Sequence, residues 1–103
     1  MDRFERWREV MQTAANEQAL EQAVREYAGT IPDTLASLLP PECEKALADH
    51  DIQRAAITLL HCELTYSGDQ AVAELLHQIA QTYAAASQRI ARLAKQPLGG
   101  HSR

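Results

Sequence analysis

The side chains that come nearest to a chemical device in this sequence are Glu63 and the pair Glu74 and His77. Glu74-Leu75-Leu76-His77 has the Glu-x-x-His spacing with which carboxylate-bridged metal bundles present two ligands from one helix. Such a centre needs two of these motifs and a further glutamate from each of two other helices. Two copies of Glu63, Glu74 and His77 in a homodimer would supply that count. The geometry argues the other way. At about 100° per residue, Glu74 and His77 fall well off the line through Val72, Ile79 and Tyr83, and so are expected to face water. Glu63 shares a face with Ile52, Ala56 and Leu59, where a carboxylate must be paired, protonated or close to the wet end of its helix. The expectation is a structural ion pair to an arginine, or exposure in the last turn, and no metal or other cofactor.

His61-Cys62 and Cys43 are the remaining reactive types. Adjacent helical residues point about 100° apart, so His61 is not placed to activate the neighbouring thiol, and Cys62 reads as a small core residue. Glu42 and Glu44 flank Cys43 and disfavour its thiolate. No Cys-x-x-Cys, His-Glu-x-x-His, phosphate-binding glycine loop or Gly-x-Ser-x-Gly elbow occurs. The expected function is therefore not enzymatic.

Charge is unevenly placed. From Glu9 to Asp51 nine acidic residues stand against Arg25 and Lys45, whereas after Glu74 the only charged residues are Arg89, Arg92, Lys95 and Arg103. A basic helix end of this kind can meet nucleic acid or an acidic partner, or simply complement its own helix dipole. The net charge of −4 and the absence of a basic recognition helix make nucleic acid the second reading. Arg3, Arg6 and Arg8 interleave with Phe4 and Trp7, but Asp2, Glu5 and Glu9 cancel the attraction to anionic lipid. No stretch approaches the ~18–20 consecutive apolar residues of a membrane span. The first residues are charged, with no apolar leader, and the two thiols suit a reducing compartment; the cytoplasm is the expected location.

Helices have to position all of these groups. The glycines and prolines cluster at Gly29 with Pro32, at Pro40-Pro41, at Gly68 and from Pro97 to Gly100, and the intervening stretches are rich in strong helix formers. At 103 residues the chain fits one domain, expected over 1–96, with 97–103 a loose tail. The stripes Phe4-Trp7-Met11 and Leu20-Val24-Tyr27 are offset, so residues 2–28 read equally as one bent helix or as two, with Asn16 a cap in the second case. A short turn follows from Asp33, which is a candidate cap, and then a segment with Pro41 in its first turn. Asp51 caps the next helix, which is apolar around most of its circumference and has a thin polar edge of Arg54, Thr58, His61 and Thr65. That pattern predicts the central element of a bundle. Ser67 and Gln70 have capping-box spacing ahead of a last helix from about Asp69 to Lys95.

The last helix carries Val72, Leu76, Ile79, Tyr83, Ala86, Ile90 and Leu93 at alternating four and three spacing, a heptad seam. It outruns the helix before it, and the excess must pack on the N-terminal helix, project into solvent or meet a second copy. The expected fold is all-α: a bundle of four to five helices with a long C-terminal helix. The expected function is a protein-binding adaptor, chaperone or regulator that self-associates. Its interface would be Val72, Leu76, Ile79, Tyr83, Ile90 and Leu93, with Arg89, Arg92 and Lys95 the candidate contacts for a partner or nucleic acid.

Overall fold

The computed structural model describes residues 3–95; the expected tail at 97–103 and Arg103 lie outside them. The architecture is all-α, as the spacing predicts. Among the described residues six helices follow one another: α1 Arg3–Thr13, α2 Glu17–Gly29, α3 Asp33–Ala36, α4 Pro41–Leu47, α5 Ile52–Thr65 and α6 Gln70–Lys95.

The first break is set by Asn16. Its extended backbone (φ −154°, ψ 175°) leaves the helical region, and its side chain accepts the Ala19 N–H at 2.8 Å, so residues 3–29 form two helices. α2 closes where the Thr30 hydroxyl donates to the Tyr27 carbonyl at 2.6 Å. Asp33 sits in the first turn of α3, and Pro32, not Asp33, takes the cap position. Pro40 and Pro41 open α4, the second at a position where no N–H is needed. Asp51 caps α5 by accepting the Arg54 N–H at 3.1 Å. The box expected from Ser67 does not form. Asp69 takes the role, its carboxylate accepting the Val72 N–H at 3.3 Å.

α6 is the spine. With 26 residues it is about 39 Å long at 1.5 Å per residue, within a molecule measuring 52 × 26 × 19 Å. A four-residue turn folds α5 back antiparallel along its first half. α1 and α2 lie along the remainder, joined to it where Arg89 meets Ala14 and Tyr83 meets Tyr27. The excess length of α6 is therefore taken up by the N-terminal helices. Val72, Leu76, Ile79 and Tyr83 are buried in this chain's own core, along with Ala80, Ala85 and Ala86. The four residues expected to form the first part of an intermolecular seam are thus consumed internally; Ile90 and Leu93 stay half-buried.

α5 departs from expectation. Ile52, Ala55, Ala56, Leu59 and Cys62 face the core, but Ile57 and Leu64 are 69% and 77% exposed and Leu60 37%. The helix that reads as central is peripheral, and two opposite apolar faces account for its apolar circumference.

Replacing Asn16 with alanine should lower unfolding free energy by about 1 kcal/mol while leaving the fold intact, since it removes a cap and no packing. Chemical denaturation followed by circular dichroism measures it. Leu76→Ala, at a site with no exposure, should cost roughly 2–5 kcal/mol in the same assay.

Candidate interaction surface

Two of the three candidate ligands come together. His77 Nδ1 lies 2.7 Å from Glu63 Oε2, across the hairpin of α5 and α6. An ionised carboxylate only accepts, so this contact requires the proton on Nδ1 and turns Nε2 outward. Glu63 is thus paired, with its side chain 26% exposed and His77's 58% exposed. The partner is a histidine, not the arginine expected from the sequence. Glu74 lies elsewhere, accepting from Gln70 Nε2 at 3.2 Å one turn back. Among the described residues no three His, Cys, Asp or Glu side chains gather closely enough to hold a metal ion.

The dyad can orient an imidazole and pass a proton at Nε2. Ser67 lines the same shallow groove as His77, Glu74 and Gln78, but no hydrogen bond joins Ser67 to His77 among the described residues. Among the described residues no serine, threonine or cysteine side chain is hydrogen-bonded to His77.

The thiols are deeply placed. Cys43 and Cys62 are both buried and both free. Burial first, and then a hydrogen bond with Cys62, pushes the Cys43 thiol up to about 12; the neighbouring Glu42 carboxylate adds a smaller push. Sequence reasoning had the direction from Glu42 and Glu44 but missed the larger cause, since burial was not visible there.

The basic end of α6 is partly spent on structure. Arg89 is half-buried, and its Nε donates to the Ala14 carbonyl at 2.9 Å, satisfying an acceptor freed where α1 ends. Arg92 and Lys95 remain exposed. Trp7 packs edge-on against Tyr27 at 5.6 Å, within this chain.

A cleft of ≈ 310 Å³ lies between α2 and the corner joining α4 to α5. Glu21, Arg25 and Asp49 bring both signs of charge to it, so it presents no single-sign field to a charged ligand. Asp49 is already engaged: its carboxylate accepts from Arg54 Nε and an Arg54 terminal nitrogen, each at 2.8 Å, and from the Asp51 N–H at 2.9 Å.

Among the described residues the exposed large apolar side chains are Val10, Leu35 and Leu38, and a group of three on the outer face of α5. Ile57, Leu60 and Leu64 follow one another at spacings of three and four, forming one short apolar stripe along the exposed side. The signal was present in the sequence as an apolar circumference too wide for a single buried face. Counting the small polar stripe as the wet edge hid it.

Compared with protein-family models, curated proteins and solved structures, the chain matches none of them.

The Asp49 clamp carries a pH signature. Hydrogen bonding to Arg54, then to the Asp51 backbone, lowers the Asp49 carboxyl from 3.8 to about 2. A depressed carboxyl pKa stabilises the fold above the unfolded value, and that stabilisation fades as pH falls from about 4 to about 2. Asp49→Asn should flatten this part of the acid-unfolding profile relative to the parent chain, as followed by circular dichroism. Equal profiles would remove Asp49 as a contributor. Arg89→Ala should cost about 1–3 kcal/mol of unfolding free energy, since it leaves the Ala14 carbonyl without its charged donor.

Proposed function

We propose that this chain is a non-enzymatic protein-binding module, a small helical adaptor or regulator whose docking face is the outer side of α5. The observation that carries the reading is the stripe of Ile57, Leu60 and Leu64, exposed at 69%, 37% and 77% on a helix whose other face is fully used by the core. Single exposed apolar residues are ordinary, but a run at helical spacing marks a surface that recognises another helix or groove. Fully burying a leucine or isoleucine side chain contributes about 1.5–3 kcal/mol, of which association gains only the share still exposed, less the ordering cost.

The chemistry on the page fits this role better than catalysis. The Glu63–His77 dyad serves to join α5 to α6, and both thiols are packed away. The second reading, nucleic-acid binding, has lost Arg89 to the α1 terminus and rests on Arg92 and Lys95, a small electrostatic footprint. No described helix is long and apolar enough to cross a membrane, and the cytoplasm remains the proposed location.

A photoreactive benzoylphenylalanine in place of Leu64, compared with one in place of Glu74, tests the reading in the producing cell. Crosslinks to a protein chain from position 64, well above those from position 74, are the expected result. Equal yields at the two positions would overturn α5 as the docking face.

A further inference from the structure

We infer that Cys43 and Cys62 join as an intramolecular disulfide that staples α4 to α5 when a small-molecule disulfide oxidises them. The inference is independent of the docking role of α5. The placement of the two sulfurs, the light hold on α4 and a balanced exchange carry it.

Placement comes first. The chain has two cysteines, one on α4 and one on α5, and both are in the core at 0% and 1% exposure. Their thiols are hydrogen-bonded to one another. Tyr66 and Glu42 pin the same layer from outside, the phenol donating to the carboxylate. Glu42 precedes Cys43, and Tyr66 follows Cys62 by one helical turn, its N–H donating to the Cys62 carbonyl. That latch therefore ties together the two stretches of chain that carry the thiols. Both thiols stand near enough to Tyr66 to add to the lift that the Glu42 bond gives its phenol. Sulfurs in hydrogen-bond contact must close to about 2.05 Å to bond, which takes a small shift of one helix against the other.

α4 is the helix able to make that shift. It has seven residues, starts at a proline pair, and the side chains it buries are Cys43 and Ala46, both small. Its far end is held where the Tyr83 hydroxyl donates to the Leu47 carbonyl, and its near end by the Tyr66 latch. An element with so little apolar burial opens locally at a fraction of the cost of global unfolding. Opening carries Cys43 into water and uncovers Cys62 beneath it; closing returns the sulfurs to each other. While α4 is closed the pair is protected, because burial holds the Cys43 thiol far from the thiolate that exchange requires.

The exchange balances in two steps. With α4 open, one thiol loses its proton to water, and its sulfur attacks the small disulfide and expels one small thiolate. On closing, the second thiol loses its proton, and its sulfur displaces the other small thiolate from the mixed disulfide. Both small thiolates take up protons. Two protein S–H bonds and one small S–S bond are lost, and one protein S–S bond and two small thiols are gained. The protein sulfurs give up two electrons, and the small disulfide receives them. The new bond closes a loop of about 20 residues, which restricts the unfolded chain and so favours the folded one.

The full chain, reduced and then held in native buffer with oxidised glutathione over hours, tests this. After an acid quench it is unfolded, treated with N-ethylmaleimide and weighed by mass spectrometry, intact and after proteolysis. The expected product takes up no maleimide, is two hydrogens lighter than the reduced chain, and yields a peptide pair joining Cys43 to Cys62. Its thermal midpoint should stand about 10–20 °C above that of the reduced chain, and fall back on adding dithiothreitol. Tyr66→Phe removes the latch and keeps both thiols; it should speed formation of the bond about fivefold, the effect of one lost hydrogen bond on an opening equilibrium. A chain that still takes up two maleimides, one that stops at the glutathione adduct, or a bond between two chains would each overturn the internal disulfide. A midpoint that does not rise would overturn the staple, and an unchanged rate in Tyr66→Phe would overturn opening of α4 as its gate.

Discussion

Tyr83 is the point on which the rest of the structure depends. Its ring is buried to 1% exposure, packs edge-on against Tyr27 of α2 at 6.4 Å, and its hydroxyl donates to the Leu47 carbonyl at the end of α4 at 3.3 Å. One side chain of the spine thereby touches the N-terminal pair of helices and the α4–α5 corner at once. Burial raises its phenol well above the ordinary tyrosine value. Trp7 extends the aromatic chain outward through Tyr27. A chain with only five aromatic residues has placed three of them in one continuous run that joins its two ends.

Around that point, the hydrogen bonds to backbone ends do the positioning that a thin core does not. Asn16, Asp51 and Asp69 each accept the N–H three residues on, and Arg89 donates to the carbonyl that α1 leaves free. Asp49 ties the start of α5 to the loop before it. Tyr66, at the end of α5, donates to Glu42 at the start of α4; that bond, more than burial, lifts its phenol to about 12. These groups fix the angles of the helices, and so bring Glu63 to His77 across the hairpin, while Glu74 bonds Gln70 one turn back within α6 itself.

Much of this was legible in the sequence because it is local. Asn16, Pro41 and Asp51 announce their helix starts by type and position, and the length of α6 follows from an unbroken run of helix formers. What was not legible is tertiary. The heptad seam at Val72 to Tyr83 is identical in text whether its partner is α5 and α1 or a second chain, and only burial decides. Arg89 reads as part of a basic patch until Ala14 is seen beneath it. The misreading of α5 has a particular cause: Ile57, Leu60 and Leu64 lie opposite Ile52, Ala55 and Leu59. Two apolar faces on one helix look like deep burial when counted together. The separation of Glu74 from Glu63 belongs to the same class, since helix phase gives direction but not which neighbour waits there.

The alanines at the centre set an evolutionary limit of an unusual kind. Ala55, Ala56, Ala80, Ala85 and Ala86 are all at 5% exposure or less, which places helix backbones close together with little side chain between them. At the large core positions, Leu76 or Leu59 for example, drift proceeds by shrinkage and leaves holes. At these alanines shrinkage has almost nowhere to go except glycine, and growth by one or two methylene groups forces helices apart. Descendants of this chain can therefore vary widely at their surfaces, the α5 stripe included, while these five positions stay held to small residues. New binding properties in such a lineage would arise by repainting the outside of α5, with the spine beneath it held constant.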